Sequence, residues 1–133
     1  MERIKLIDFA KITDHRGSIS FGEVGKEIPF EIKRIYYLYD TPDGSVRGAH
    51  AHKNLQQIVL PIAGSFDFLL DDGKQKKLFK LDKPWQGLYI PSMIWRDIMN
   101  FSTRSVCLVL ASAHYDESDY YKDYQEFMDA VTK

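Results

Sequence analysis

Arg47-Gly48-Ala49-His50-Ala51-His52-Lys53 puts two imidazoles two residues apart, directly after a glycine. In an extended strand, residues i and i+2 point to the same face, so His50 and His52 project side by side. The surrounding chain supports the strand. Upstream, Ile32 to Tyr39 is rich in β-branched and aromatic residues and stops at the turn signal Thr41-Pro42-Asp43-Gly44. Downstream, Leu55 to Leu60 ends at Pro61-Ile62-Ala63-Gly64, and Ser65 to Leu70 ends at Asp71-Asp72-Gly73, a hairpin signal. Further strand-like runs are Ile4 to Phe9, Ser18 to Val24 (after Asp14-His15-Arg16-Gly17), Lys77 to Leu81, Gly87 to Ile90, Arg96 to Phe101 and Ser105 to Ser112. Many short strands with Gly and Pro punctuation and no helix between them predict an all-β sandwich or barrel, and exclude a parallel α/β sheet. Residues 1–114 are strand-rich. Beyond Asp116, apolar residues at Tyr120, Tyr121, Tyr124, Phe127, Met128 and Val131 follow the helical period, which predicts one C-terminal helix over about 117–131 packed on the barrel. Its tyrosines read as a packing stripe.

The 133 residues suit one domain, 1–133, with no space for a separate cofactor-binding domain. Hydrophobic residues make up 44% and aromatics 14%, which supports a core without disulfides. Lys and Arg number 18 against 19 Asp and Glu, a net charge of −1, so no basic excess points to nucleic acid or an anionic membrane. An anionic ligand needs a local cluster of arginines instead. Cys107 lies in an apolar run and reads as a buried, inert thiol. With neither an apolar leader nor a membrane-length run, the sequence predicts a soluble cytoplasmic protein.

The histidine segment resembles the first motif of the cupin superfamily, double-stranded β-helix (jelly-roll) barrels: Gly48, His50, His52, then Gln56 where cupins place Glu, and Gly64 near the closing glycine. Pro91 to Asn100 resembles the second motif, with Arg96 where cupins place a metal-binding His. Gln56 supplies no charge and Arg96 is a permanent cation, so no metal is expected. Free imidazoles opposite an arginine are a constellation for proton transfer on an anionic or carbonyl-bearing substrate.

Within the cupins, Ile32-Lys33-Arg34-Ile35-Tyr36-Tyr37 together with Arg47 to Lys53 looks like the sugar 3,4-ketoisomerase family. The likeness spans nearly the whole chain, from Asp14-His15-Arg16-Gly17-Ser18 to Tyr115-Asp116-Glu117. It implies an enzyme that moves the ketone of dTDP-4-keto-6-deoxyglucose from C4 to C3 through an enediolate, with no cofactor, in deoxysugar biosynthesis. It further implies a homodimer that exchanges N-terminal strands, for which Ile4 to Phe9 is a compatible segment. His50 and His52 are then the acid–base pair, with either one able to take the C3 proton. Arg47 could bind the pyrophosphate or an oxyanion, and Arg96, inward by analogy, could sit over the sugar. Strand alternation admits only one of Tyr36 and Tyr37 to the site. Arg34 shares a face with Tyr36 and is either a substrate contact or a surface ion pair; Arg16 is either near the site or a solvated turn residue. His15 and His114 read as structural or exposed, and Trp85 and Trp95 as packing residues. Three other readings stand beside the ketoisomerase: a sugar-nucleotide 3,5-epimerase, a metal-dependent cupin oxygenase, and a non-catalytic sugar-nucleotide-binding protein. The C4 configuration of the product is left open.

Overall fold

The computed structural model describes residues 1–132. Its strands are β1 (Lys5–Asp8), β2 (Ala10–Asp14), β3 (Gly17–Phe21), β4 (Arg34–Leu38), β5 (Arg47–His52), β6 (Gln57–Ala63), β7 (Phe66–Asp71), β8 (Lys76–Leu81), β9 (Gln86–Ile90), β10 (Trp95–Met99), β11 (Val106–Ala111) and β12 (Tyr120–Tyr121), followed by helix α1 (Tyr124–Val131). Two five-stranded antiparallel sheets, in the orders β1-β9-β6-β11-β4 and β12-β5-β10-β7-β8, face each other as a jelly-roll barrel. The all-β cupin-type architecture with a C-terminal helix is the one expected from the sequence.

Strand alternation builds the core. Val59, Phe66, Phe68, Leu70, Leu88, Ile90, Ile98, Cys107 and Val109 meet between the sheets and exclude water. Residues of opposite parity on the first sheet, Ile58, Leu60 and Leu110, are covered from outside by Phe9, Ile28 and Phe30. That double burial explains why β6 and β11 read as continuous apolar runs. The β7–β8 hairpin is closed by side chains: Asp71 accepts from the amide of Gly73 (2.8 Å), and Asp72 from those of Lys74 and Gln75 (2.8 Å each). Gly73 has φ +95°, and a Cβ there would lie 2.4 Å from Val131, so the turn requires glycine twice over.

The helix is shorter than expected. Glu117–Asp119 forms a single 3-10 turn capped by Asp116, whose carboxylate accepts from the amide of Ser118 at 3.0 Å. Tyr120 and Tyr121 then become extended and pair with His52 and Ala51, and α1 begins only after Asp123 caps it by accepting from Gln125 N. The edge of β5 presents unpaired backbone groups, and satisfying them outweighs helical propensity at the two tyrosines. Phe127 of α1 packs on Trp95, 5.9 Å between ring centroids, and so seats the helix on the outside of the second sheet.

The N-terminal region also differs from expectation. Strand β1 pairs with β9 of its own chain, whereas β2 and β3, joined through Asp14-His15-Arg16-Gly17, form a two-stranded ribbon bonded to no other strand among the described residues. Ile12, Ile19 and Phe21 on this ribbon are exposed.

Candidate active site

The site is built on β5, which departs from regular alternation. Gly48 and Ala49 have φ of +86° and +53°, and one extra residue enters the ladder: His50 lies opposite Arg96, Gly48 opposite Asp97, and Arg47 opposite Ile98. This β-bulge has a consequence that simple period-2 counting misses. Cross-strand partners share a face, so Arg47, which counting assigns to the side away from His50, opposes the inward-facing core residue Ile98.

The imidazole rings of His50 and His52 meet edge to face with centroids 4.8 Å apart. His50 Nδ1 lies 2.9 Å from the carbonyl oxygen of Gly48. A carbonyl only accepts, so Nδ1 carries the proton and Nε2 the lone pair. His52 Nδ1 lies 3.1 Å from Asp119 Oδ2 and is oriented in the same sense. Both Nε2 atoms are buried without a protein partner.

Beneath the pair runs a buried polar chain. Arg96 donates through Nη2 to the Ile94 carbonyl (3.0 Å) and through Nη1 to Gln57 Oε1, and Gln57 Nε2 donates to the Tyr36 hydroxyl (2.8 Å). Arg96 Nε, also buried, has no acceptor and is the free donor of this group. Burial, with Arg96 next in importance, lowers His50 from 6.5 to about 4. The same two causes, with His50 third, lower His52 to about 2. Burial pulls Arg96 down to about 10 and raises the Tyr36 phenol. At neutral pH the site therefore holds two neutral imidazoles above a charged guanidinium and a protonated phenol.

The structure sorts the other residues named from the sequence. Tyr36 faces inward, whereas Tyr37 is 56% exposed on the opposite face and packs on Tyr39 at 5.8 Å. Arg34 lies on the Tyr36 side, its guanidinium 5.3 Å from that ring and 5.6 Å from Tyr115, with Nε buried and unpartnered. With His52, Asp119 and Tyr120 it lines a pocket of about 150 Å³. Arg47 is exposed and is not among the residues that line this pocket. Arg16 is not brought to the histidines of its own chain: it is exposed at the ribbon tip, 2.6 Å from Asp14. Gln56 is replaced in the site by its neighbour. Gln57 occupies the buried position beside Arg96, while the Gln56 side chain accepts from the hydroxyl of Tyr89 (2.6 Å). His15 is exposed in the ribbon turn, and His114 lines the small pocket.

Sequence reasoning missed Asp119, Tyr120 and Gln57. Tyr120 lies against both imidazoles, 5.0 Å from His50 and 4.4 Å from His52 between centroids, and is part of a strand instead of a helical stripe. Its only sequence signal was the break that Asp116 and Ser118 impose before α1. The cupin metal positions do not suit a divalent cation: two neutral imidazoles are joined there by a carboxamide and a fixed positive charge. Among the described residues no group of three His, Cys, Asp or Glu side chains converges. No helix among the described residues is long and apolar enough to cross a membrane.

A family model described as "FdtA: WxcM-like, C-terminal" matches residues 2–132. A TDP-4-oxo-6-deoxy-alpha-D-glucose-3,4-oxoisomerase of Aneurinibacillus thermoaerophilus is 44% identical over 129 residues, 97% of this chain and 93% of the relative. The crystal structure of a 3,4-ketoisomerase from Helicobacter canadensis superimposes with a TM-score of 0.94 at 46% identity, covering 98% of both chains. A His-to-Asn mutant of a 3,4-ketoisomerase from Thermoanaerobacterium thermosaccharolyticum, solved in complex with TDP-4-keto-6-deoxyglucose, superimposes with a TM-score of 0.97 at 36% identity over 99% of this chain and 96% of the other.

Proposed function

The chain belongs to the FdtA, WxcM-like C-terminal family, and on that premise we propose that it is a 3,4-ketoisomerase moving the ketone of dTDP-4-keto-6-deoxyglucose from C4 to C3. The observation that carries the reading is the pair of neutral imidazoles, each with its Nε2 lone pair free above Arg96 and Tyr36. The C4 carbonyl acidifies the C3 proton, and a neutral imidazole is the base that removes it. His50 takes this role: it is the more accessible of the two and its pKa lies nearer neutrality. Loss of the C3 proton leaves an enediolate across C3 and C4. The Nε–H of Arg96 and the Tyr36 hydroxyl donate to its oxygens, and one such buried donor lowers the barrier by about 3–4 kcal/mol. The imidazolium of His50 returns its proton to C4, while His52 Nε2 accepts the O3 hydroxyl proton and delivers it to O4. Hydrogens thus move from C3 to C4 and from O3 to O4, and the carbonyl settles at C3. The reaction needs no metal, because Arg96 supplies the positive charge, and no redox cofactor. Arg34, which lines the pocket beside His52, and the exposed Arg47 hold the diphosphate.

The functional unit we infer is a cytoplasmic homodimer of deoxysugar biosynthesis. Support comes from the β2–β3 ribbon, whose Ile12, Ile19 and Phe21 are uncovered in one chain, and from the apolar groove of about 590 Å³ between the ribbon and Leu60, Ile62 and Leu108. The ribbon, not β1, is the exchanged element, and it would carry Arg16 toward the partner's site.

The test is substitution. His50→Asn and His52→Asn should each lower turnover of dTDP-4-keto-6-deoxyglucose about a hundredfold or more with the fold intact, in enzyme stripped of metal by chelation. Undiminished turnover in either variant, or activity that returns only with added zinc, iron or manganese, would sink the reading.

A further inference from the structure

Among the described residues, Asp119 is the one acidic side chain in hydrogen-bond contact with either imidazole, and it stands 67 residues from its partner in the chain. Its placement is overdetermined. The 3-10 turn holding it is capped by Asp116, which accepts from the amide and the hydroxyl of Ser118 (3.0 and 2.6 Å) and whose carbonyl accepts from Asp119 N (3.0 Å). The Asp119 carbonyl accepts from Lys53 N at 2.8 Å. Its carboxylate then spends both oxygens: Oδ1 accepts from Asn54 N (2.8 Å), and Oδ2 from Leu55 N (3.4 Å) and His52 Nδ1 (3.1 Å). Every group facing this carboxylate is therefore a donor. The imidazole can satisfy it only through an Nδ1–H, which leaves the His52 Nε2 lone pair turned to the interior, where that atom is buried and has no protein partner.

We propose that Asp119 is a positioning residue of the isomerase reaction, fixing His52 in the Nδ1–H tautomer so that its Nε2 can accept the hydroxyl proton of the sugar. The inference rests on the isomerase reading for its kinetic consequence, but its structural content is independent of it. Asp119→Asn is the informative variant because its geometry forces an outcome. The amide has one accepting oxygen, and Asn54 N, at the shortest distance, claims it. The NH₂ then faces His52 Nδ1, which must become an acceptor, and the imidazole proton moves to Nε2. The lone pair needed for catalysis is lost, and with it only the long contact from Leu55 N (3.4 Å), while the shorter bond from Asn54 N is kept. A wrong-tautomer substitution of this type costs about 10⁴ in kcat in a serine protease triad, and a loss of about a thousandfold or more is expected here.

The experiment is nitrogen-15 NMR of the four histidines in the intact protein without substrate, with His52→Gln used to assign the signal, alongside steady-state kinetics. The expected result is Nδ1–H for His52 in the wild type, Nε2–H in Asp119→Asn, and a collapse of kcat with KM and TDP affinity nearly unchanged. A wild-type His52 carrying its proton on Nε2 would overturn the proposal even if the variant failed to fold. So would a folded Asp119→Asn with the tautomer unmoved, or with a switched tautomer and full turnover. If the tautomer switches but the wild type does not isomerise the keto sugar, the positioning of His52 stands and the isomerase reading falls.

Discussion

Lowering the pH from 7.5 to 4.5 should destabilise the fold through its two buried histidines, and the cost can be worked from their surroundings. An unfolded imidazole, with its ordinary value of 6.5, is about 99% protonated at pH 4.5, whereas folded His50, held at about 4, is only about a quarter protonated. The unfolded state binds the proton first, so stability falls as the pH drops below 6.5 and goes on falling until His50 itself titrates near 4. Across the window the linkage amounts to about 2.5 kcal/mol. His52 adds a similar amount, because any folded value well below 4.5 gives the same limit. Carboxylates hardly contribute: even Asp72, lowered to about 2 by its bond to the N-terminal ammonium, changes stability by about 0.1 kcal/mol in this range. The assay is urea unfolding of wild type and His50→Gln at both pH values and one protein concentration. The wild type should lose about 2.5 kcal/mol more than the variant. Equal losses, within about 0.5 kcal/mol, would refute the placement of His50 as a buried neutral base.

The same group sets the pH–rate profile: kcat/KM should be flat from pH 7 to about 5 and halve near pH 4, as measured by initial rates. Arg96→Met should reduce kcat by about 10²–10³ through loss of the enediolate donor, and should raise the His50 pKa in an NMR titration because a charge that opposes its protonation is gone. Tyr36→Phe leaves Gln57 Nε2 without its acceptor and should cost about 1–3 kcal/mol in thermal unfolding as well as turnover; Tyr37→Phe, on the exposed face, should change stability by less than about 0.5 kcal/mol. Phe127→Ala removes the wholly buried ring by which α1 packs on the barrel and should cost about 3–5 kcal/mol in thermal unfolding.

The fold was legible because its signals are local. The β-branched and aromatic residues of β4, the continuous apolar runs of β6 and β11 and the turn residues at Asp71-Asp72-Gly73 need no knowledge of distant contacts. His50 and His52 were legible for the same reason, being two apart on one strand. What escaped depends on pairings remote in the chain. Tyr120 keeps a helical period in sequence and becomes a strand only because β5 offers it an edge. Asp119 is one of several acids in the tail until the 3-10 turn carries it to His52. The inward position of Gln57 in place of Gln56 reflects where β6 starts, and the placement of Arg47 a bulge at Ala49; each is a shift of one residue that reverses a side chain's face. Arg16 belongs to a ribbon that joins no other sheet among the described residues.

The central claim is that this barrel moves a ketone by proton transfer alone, and NMR of the sugar after turnover in deuterated water tests it most directly. Metal-stripped enzyme given dTDP-4-keto-6-deoxyglucose should yield a product with its carbonyl at C3 and, at C4, the hydrogen that His50 took from C3, replaced by deuterium only to the extent that the imidazolium exchanges with solvent. A ketone still at C4, with deuterium at C3 or C5 and inverted configuration there, would contradict the account and identify an epimerase.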